Sequence, residues 1–252
     1  MSVPQSLQRP LVLKFGGAVL GGEGGVERAA AFVARERASR PGAGVVVVVS
    51  ALGSTTDRLF EEASERFGQD EAGVAGHVQA GEEQAVRRMV AALEALDAPV
   101  QACSPECLGL VTSGSLLDGD PESLDSSSLE AELYPAGAPP AVVVTPGFVA
   151  RDGQGRPSLL GRGGSDLTAL FIAHHLDAWD CLLVKDVDGI HESDPNSTQG
   201  EAPARLEEVG FGDLEAYGGA VLQAKAARFA ARHRRSFALG SAERPALRTR
   251  VR

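Results

Sequence analysis

The chain has 252 residues, of which 43% are hydrophobic and 5% aromatic, and its formal net charge is −10. That length allows one large aliphatic core in one or two domains. The acidic balance argues against nucleic-acid or anionic-membrane binding, and no stretch reaches the roughly 20 apolar residues of a membrane span.

Residues 1–10 are polar and lack the apolar core of a signal sequence. Cys103, Cys107 and Cys181 fit no zinc spacing, so reduced, packed thiols in a cytoplasmic protein are expected. Residues 11–15 read as a strand running into Gly16-Gly17, and residues 26–39 as an amphipathic helix ended by Pro41-Gly42. Residues 45–50 open with five consecutive valines, the pattern of a parallel strand buried on both faces. Helices are expected over 56–67 and 71–96, and strands over 99–103 and 108–112. Residues 113–128, rich in Ser, Asp and Gly, are expected to form a mobile segment.

Residues 141–145 read as a buried strand, and 148–160 as a hairpin around Asp152-Gly153-Gln154-Gly155. A helix over 164–176, a strand over 181–185, a helix over 219–234 and a last central strand over 236–239 follow. The cluster Arg232-His233-Arg234-Arg235 suits a solvated helix end, and His174 and His175 read as helix filler. Arg248, Arg250 and Arg252 belong to a short tail. Strands alternating with helices predict an α/β fold.

Three glycine-bearing turns sit where strands should end. Lys14-Phe15-Gly16-Gly17 places a fixed charge beside backbone that an anion can approach closely; it lacks the Gly-Lys-Ser/Thr of a Walker loop. Gly161-Arg162-Gly163-Gly164-Ser165-Asp166 precedes a helix whose N-terminus suits a phosphate or carboxylate. Ser165 or Asp166 could simply cap that helix, but a cap does not explain Arg162. In Lys185-Asp186-Val187-Asp188-Gly189, the two aspartates could meet ribose hydroxyls or a magnesium shell, or form an ordinary Asp-Gly turn. Converging on one sheet edge, the three turns supply what phosphoryl transfer requires.

These residues resemble the aspartokinases of the amino acid kinase superfamily, from Leu11 to about Ser241. The Arg162-Gly163-Gly164-Ser165-Asp166 turn is the most specific piece. It is joined by Gly147-Phe148, by Ser50-Ala51-Leu52-Gly53 with Thr55-Thr56-Asp57, by Gly81-Glu82, and by Asp186-Val187-Asp188-Gly189-Ile190 with Asp194-Pro195. The resemblance implies a three-layer α-β-α sandwich with a central, mainly parallel sheet. It also implies ATP and Mg2+ as cofactors and the conversion of aspartate to 4-phosphoaspartate. Within a single domain over 1–252, an acceptor-binding lobe at about 11–160 and a nucleotide-binding lobe at about 161–241 are implied, as is a homodimer.

By the same resemblance, Lys14 stabilises the transferring group and Asp166 orients that lysine. Thr56, Glu82, Phe148, Arg162, Gly163, Gly164 and Ser165 surround the amino acid. Lys14, Gly16, Gly17, Lys185, Asp186, Asp188, Gly189 and His191 meet the nucleotide. The chemistry agrees: Glu82 can pair with an ammonium and Arg162 with an α-carboxylate, and the acceptor carboxylate is already ionised at neutral pH.

The nucleotide side departs from the family pattern. Ala18 and Val19 replace a Thr-Ser pair, Lys185 a threonine, His191 a tyrosine and Asn196 an arginine, and a lysine expected on a later helix falls on Ala220. Lys185 is the expected source of the missing charge, and Lys225 is no obvious substitute. The usual regulatory ACT domains are not expected, nor is feedback inhibition by lysine or threonine within this chain. A related kinase with another acceptor, or a non-catalytic binding protein, are the competing readings.

Overall fold

The computed structural model describes residues 9–193, 203–214 and 222–252. In chain order the elements are β1 (Leu11–Phe15), α1 (Gly17–Gly21), α2 (Gly25–Ala38), β2 (Val45–Val49), α3 (Thr55–Phe67), α4 (Glu71–Glu94), β3 (Val100–Ala102), α5 (Pro105–Leu108), β4 (Leu110–Ser113), β5 (Asp120–Leu124), α6 (Ser127–Leu133), β6 (Val142–Pro146), β7 (Val149–Asp152), β8 (Pro157–Leu159), α7 (Gly164–His175), β9 (Asp180–Lys185), β10 (Glu208–Val209), α8 (Ala224–His233), β11 (Phe237–Ser241) and β12 (Arg248–Val251).

Eight strands form the main sheet in the order β10-β12-β11-β9-β1-β2-β6-β3. From β11 to β3 every pairing is parallel; β12 runs antiparallel to β11. The chain winds from β1 outward to β2 on one side and later returns to β9 on the other. The C-terminal end of β1 is therefore the switch point where an open α/β sheet leaves a crevice.

Side-chain alternation divides the core into two layers. Leu11, Leu13 and Phe15 of β1 join Val45, Val47 and Val49 of β2 under α2 and α4, packing on Phe32, Ala85 and Met89. Val12, Val46 and Val48 face the other way, with Leu167, Leu170 and Ala173 of α7 and Ala226 and Ala230 of α8. The expected three-layer architecture is what forms. Each fully buried valine of β2 contributes about 1.5–3 kcal/mol by leaving water. A second sheet, β5-β4-β7-β8, contains the expected hairpin as β7 and β8.

Three expectations are corrected. Residues 113–128 are an ordered stretch carrying β5, which pairs antiparallel with β4. The Arg-rich tail contributes β12, with Thr249 and Val251 fully buried between exposed or half-exposed arginines. The helix expected from residue 219 begins at Ala224; Gly219, Ala220 and Val221 lie outside the described residues, as do Asp194, Pro195 and Asn196. No described helix is long and apolar enough to cross a membrane.

Candidate active site

The alternation that builds the core also aims the lysines. Lys14 shares its face of β1 with Val12, so it points toward α7 and not toward α2. On the neighbouring strand β9, Lys185 shares its face with Cys181 and Leu183 and points the same way. Asp166 sits in the first turn of α7, which packs on both strands. Its carboxylate bridges the two ammonium groups: Lys14 Nζ lies 2.7 Å from Oδ1 and Lys185 Nζ 2.6 Å from Oδ2.

Burial pushes the Asp166 carboxyl up, but the two lysines outweigh it and hold it below the ordinary carboxylate value. Burial, with Lys14 adding to it, pulls the Lys185 ammonium down, and Asp166 only partly restores it. The cluster carries two positive charges against one negative. It forms the floor of a cavity of about 1480 Å³.

Thr56, Phe60, Glu82, Leu117, Phe148 and Arg162 line this cavity. Glu82, on α4, is 1% exposed; its Oε2 accepts the Ala51 N–H at 2.6 Å and its Oε1 accepts the Thr56 hydroxyl at 3.2 Å. Burial pushes Glu82 up to about 7, against the opposing pull of these bonds and of Lys14. Thr56 is thus spent on Glu82 and does not cap α3. Phe148 holds a φ of 73°, a left-handed conformation that a bulky residue adopts only when its surroundings enforce it. Its N–H donates to Thr168 Oγ1 at 3.0 Å, and its carbonyl accepts the Leu160 N–H at 2.9 Å. Arg162 is exposed on the cavity wall and forms no ion pair among the described residues.

Asp186, Val187, Gly189 and His191, on the segment that follows β9, line it as well. Gly16, Gly17, Ala18, Val19, Gly163, Gly164 and Ser165 complete the part of the lining contributed by the two glycine-bearing turns. Gly163, at φ 75°, is the N-cap of α7, and no side chain caps that helix. Ser165 instead bonds the Ser50 hydroxyl at 2.9 Å, and Asp166 bonds the lysines. A Cβ on Gly163 would lie 2.4 Å from Gln223 Cβ, and one on Gly17 would lie 2.6 Å from the Ala51 carbonyl, so both turns approach their neighbours too closely for a side chain.

Asp188 does not line the cavity. Its Oδ1 accepts from His191 Nε2 at 2.9 Å and its Oδ2 from Arg244 at 3.2 Å, and the His191 bond is the main reason its carboxyl stays below the ordinary value. Lys225 is likewise outside: its ammonium holds Asp118, Asp120 and the carbonyls of Gly119 and Leu160. No group of three or more His, Cys, Asp or Glu placed to hold a metal occurs among the described residues.

The profile of the Amino acid kinase family matches residues 9–237. The chain belongs to that family. Among its relatives, the aspartokinase of Pseudomonas aeruginosa is 32% identical over 229 residues, 88% of this chain and 53% of that protein. The Thermus thermophilus aspartokinase is 30% identical over the same length, 88% of this chain and 54% of that one. The chain therefore spans about half the length of the relatives it matches. Escherichia coli aspartokinase III in complex with aspartate and ADP superposes with a TM-score of 0.77 at 23% identity, over 96% of this chain and 64% of that one. An isopentenyl phosphate kinase gives 0.68 at 18% identity, over 96% and 98%. At those identities the two structures speak for the fold.

Apart from Asp188, every residue chosen from sequence for the site lines one cavity. Sequence reasoning gave no role to Ser50, Phe60, Leu117 or Gln223, which also line it. Ser50 had a signal, since it directly follows the buried strand β2 beside the switch point. Gln223 had none, because only the fold brings it onto Gly163.

Proposed function

We propose that this kinase transfers the γ-phosphoryl group of ATP to the side-chain carboxylate of L-aspartate, giving 4-phosphoaspartate and ADP. The observation that carries the reading is the Lys14–Asp166–Lys185 bridge, which sets two ammonium groups in the lining of one cavity. In this reading residues 11–160 supply most of the acceptor site and residues 161–241 most of the nucleotide site.

The acceptor carboxylate is ionised at neutral pH, so the chain needs no general base. The barrier is the approach of one anion to another. Lys14 and Lys185 lower it by neutralising charge on the oxygens of the transferring group, in place and without reorganisation. Asp166 holds both ammonium groups on one face. Glu82 receives the amino group of the acceptor, Arg162 its α-carboxylate as a bidentate pair, and Thr56, Phe148 and Ser165 enclose it. Gly16, Gly17, Gly163 and Gly164 let the phosphates approach backbone, and the uncapped start of α7 favours their charge. Asp186, Gly189 and His191 border the nucleoside. Mg2+ enters as part of the nucleotide substrate, held by its phosphates and water.

One observation favours a second reading within the same chemistry. Asp57 and Glu61 line the same cavity as Glu82 and Arg162, which suits an acceptor with an additional amine. The experiment is acyl-phosphate trapping with hydroxylamine and MgATP over a panel of amino acids and small amines. Hydroxamate from L-aspartate, lost in Lys14→Ala, is the expected result. Turnover only with an amine-bearing acceptor would move the substrate, and no turnover by folded protein would leave a binding protein.

A further inference from the structure

Gln223 lines the cavity from an element that carries neither lysine. It is the N-cap of α8, with φ −69° and ψ 147°, and its side chain does not cap that helix. Leu222 before it and Ala226 and Ala227 after it are buried, so the backbone that carries it is anchored in the core. The stem of the side chain lies directly over Gly163: a Cβ on that glycine would fall 2.4 Å from Gln223 Cβ and 2.5 Å from its Cγ. This contact holds the stem against the start of α7, whose first turn also carries Asp166.

Two hydroxyls of the lining are spent within the protein. Thr56 donates to Glu82 and Ser50 donates to Ser165. The amide of Gln223 has no hydrogen-bond partner among the described residues. A primary amide on an anchored stem, without a protein partner, is placed to donate to a ligand. We propose that Gln223 donates a hydrogen bond to the phosphoryl group while it is transferred, and is thereby a catalytic residue of the reaction. The inference deepens the phosphoryl-transfer reading above and rests on it.

A phosphoryl group in transfer spreads its charge over three equatorial oxygens, which call for donors from more than one direction. Lys14 and Lys185 come from β1 and β9 and are tied to one carboxylate; Gln223 comes from α8. A neutral donor suits this third position. Lys14 already draws the Lys185 ammonium down, and a third ammonium beside them would add to that repulsion. An amide adds an N–H and no charge. The Ser165 N–H, in the first turn of α7, has no acceptor among the described residues and is a second neutral donor beside the Gly163 contact. Because the Gln223 stem is packed on Gly163, little reorganisation is needed when charge moves onto the oxygens.

The test compares wild type with Gln223→Leu, which removes the amide, and Gln223→Glu, which keeps its shape and replaces the donor with an anion. Each is assayed for ADP release with MgATP and the acceptor that hydroxylamine trapping identifies. The expected result is a kcat lower by about 10²-fold in Gln223→Leu and lower still in Gln223→Glu, with KM for either substrate changed by less than about threefold. Calorimetry adds a readout that a structural role would not move. MgADP with aluminium fluoride, which mimics the group in transfer, should bind Gln223→Leu about 10²-fold more weakly in the presence of acceptor, while MgADP alone binds as it does to wild type. Gln223 is exposed, so both variants should fold and melt with wild type. An unchanged kcat in Gln223→Leu overturns the inference. So does a raised KM for one substrate with kcat intact, which would make the amide a ground-state contact. Either result leaves the kinase reading standing. A folded wild type that turns over no acceptor overturns the kinase reading and the role of Gln223 with it.

Discussion

Lys185 Nζ lies 2.6 Å from Asp166 Oδ2, while Lys14 Nζ occupies the other oxygen of the same carboxylate at 2.7 Å. Position 220, where the aspartokinase pattern has a lysine, is alanine in this chain. We propose that the Lys185 cation, delivered from the end of β9, stands in for that lysine beside Lys14. Lys185→Met should therefore raise KM for MgATP several-fold and lower kcat by about 10²-fold, the cost of removing one preorganised donor from a transition state. The fold should tolerate it, since the Lys14–Asp166 pair survives. Steady-state kinetics at saturating acceptor measures both constants, and wild-type values would remove Lys185 from the reaction.

Asp166→Asn leaves two buried ammonium groups facing each other with no counter-charge. Breaking a buried pair in this way costs about 3–5 kcal/mol, which for a chain of this size lowers Tm by roughly 6–20 °C. Adding Lys185→Met removes one of the stranded charges. The double variant should recover part of the lost stability but none of the activity. Thermal denaturation of the two single variants and the double variant completes the cycle. A double variant no more stable than Asp166→Asn would mean that the lysines do not strain the fold.

Glu82 gives the site a pH dependence of definite sign. Its folded-state value, about 7, lies above the value it has in an unfolded chain. Its stabilising contribution is therefore complete below about pH 4.5 and is lost as pH rises through 7, a change of order 3 kcal/mol. Glu82→Gln cannot ionise, so the wild-type-minus-variant difference in unfolding free energy should decline across that window. An acceptor ammonium reverses the preference, because it favours the carboxylate. Acceptor affinity should climb from about pH 6 to about pH 8, with one proton released on binding at the lower end. Calorimetry in two buffers of different ionisation enthalpy reads that proton directly, and a binding enthalpy independent of buffer would show that no amine meets Glu82.

The parts of this molecule that sequence could reveal are those set by periodicity and local turn chemistry. Five valines in a row specify a central strand, and period-two alternation puts Lys14 and Lys185 on the face that meets Asp166. What sequence could not reveal depends on partners far along the chain. Composition marks residues 113–128 as loop, and β5 has almost no buried surface to announce it. Asp188 reads as a free carboxylate in an Asp-Gly turn until Arg244 arrives from 56 residues away. The tail Arg248-Thr249-Arg250-Val251 does alternate, but three arginines in the last five residues obscure a strand whose Thr249 supports the turn at Ile190.

Residues 118–124 are held by the β4–β5 pairing and, at their start, by one distant side chain. Lys225, at the start of α8, places its ammonium 2.8 Å from Asp118 Oδ1, 3.2 Å from Asp120 Oδ1 and 2.9 Å from the Gly119 carbonyl. Its contact with the Leu160 carbonyl at 3.3 Å joins this segment to the strand that leads into Gly161. Backbone bonds between Leu159 and both Leu116 and Gly119 help, but they hold only the beginning of the stretch. Leu117 and Asp118 line the cavity, so the tether positions part of its wall. Lys225→Met keeps the length of the stem and removes every one of these bonds. It should cost about 1–3 kcal/mol, speed amide exchange over 118–124 while leaving the central sheet protected, and raise KM for the acceptor several-fold with kcat little changed. Hydrogen exchange by mass spectrometry distinguishes this from general destabilisation: protection lost evenly over the whole chain would mean that Lys225 supports the fold at large, and unchanged exchange over 118–124 would mean that the backbone pairing alone suffices.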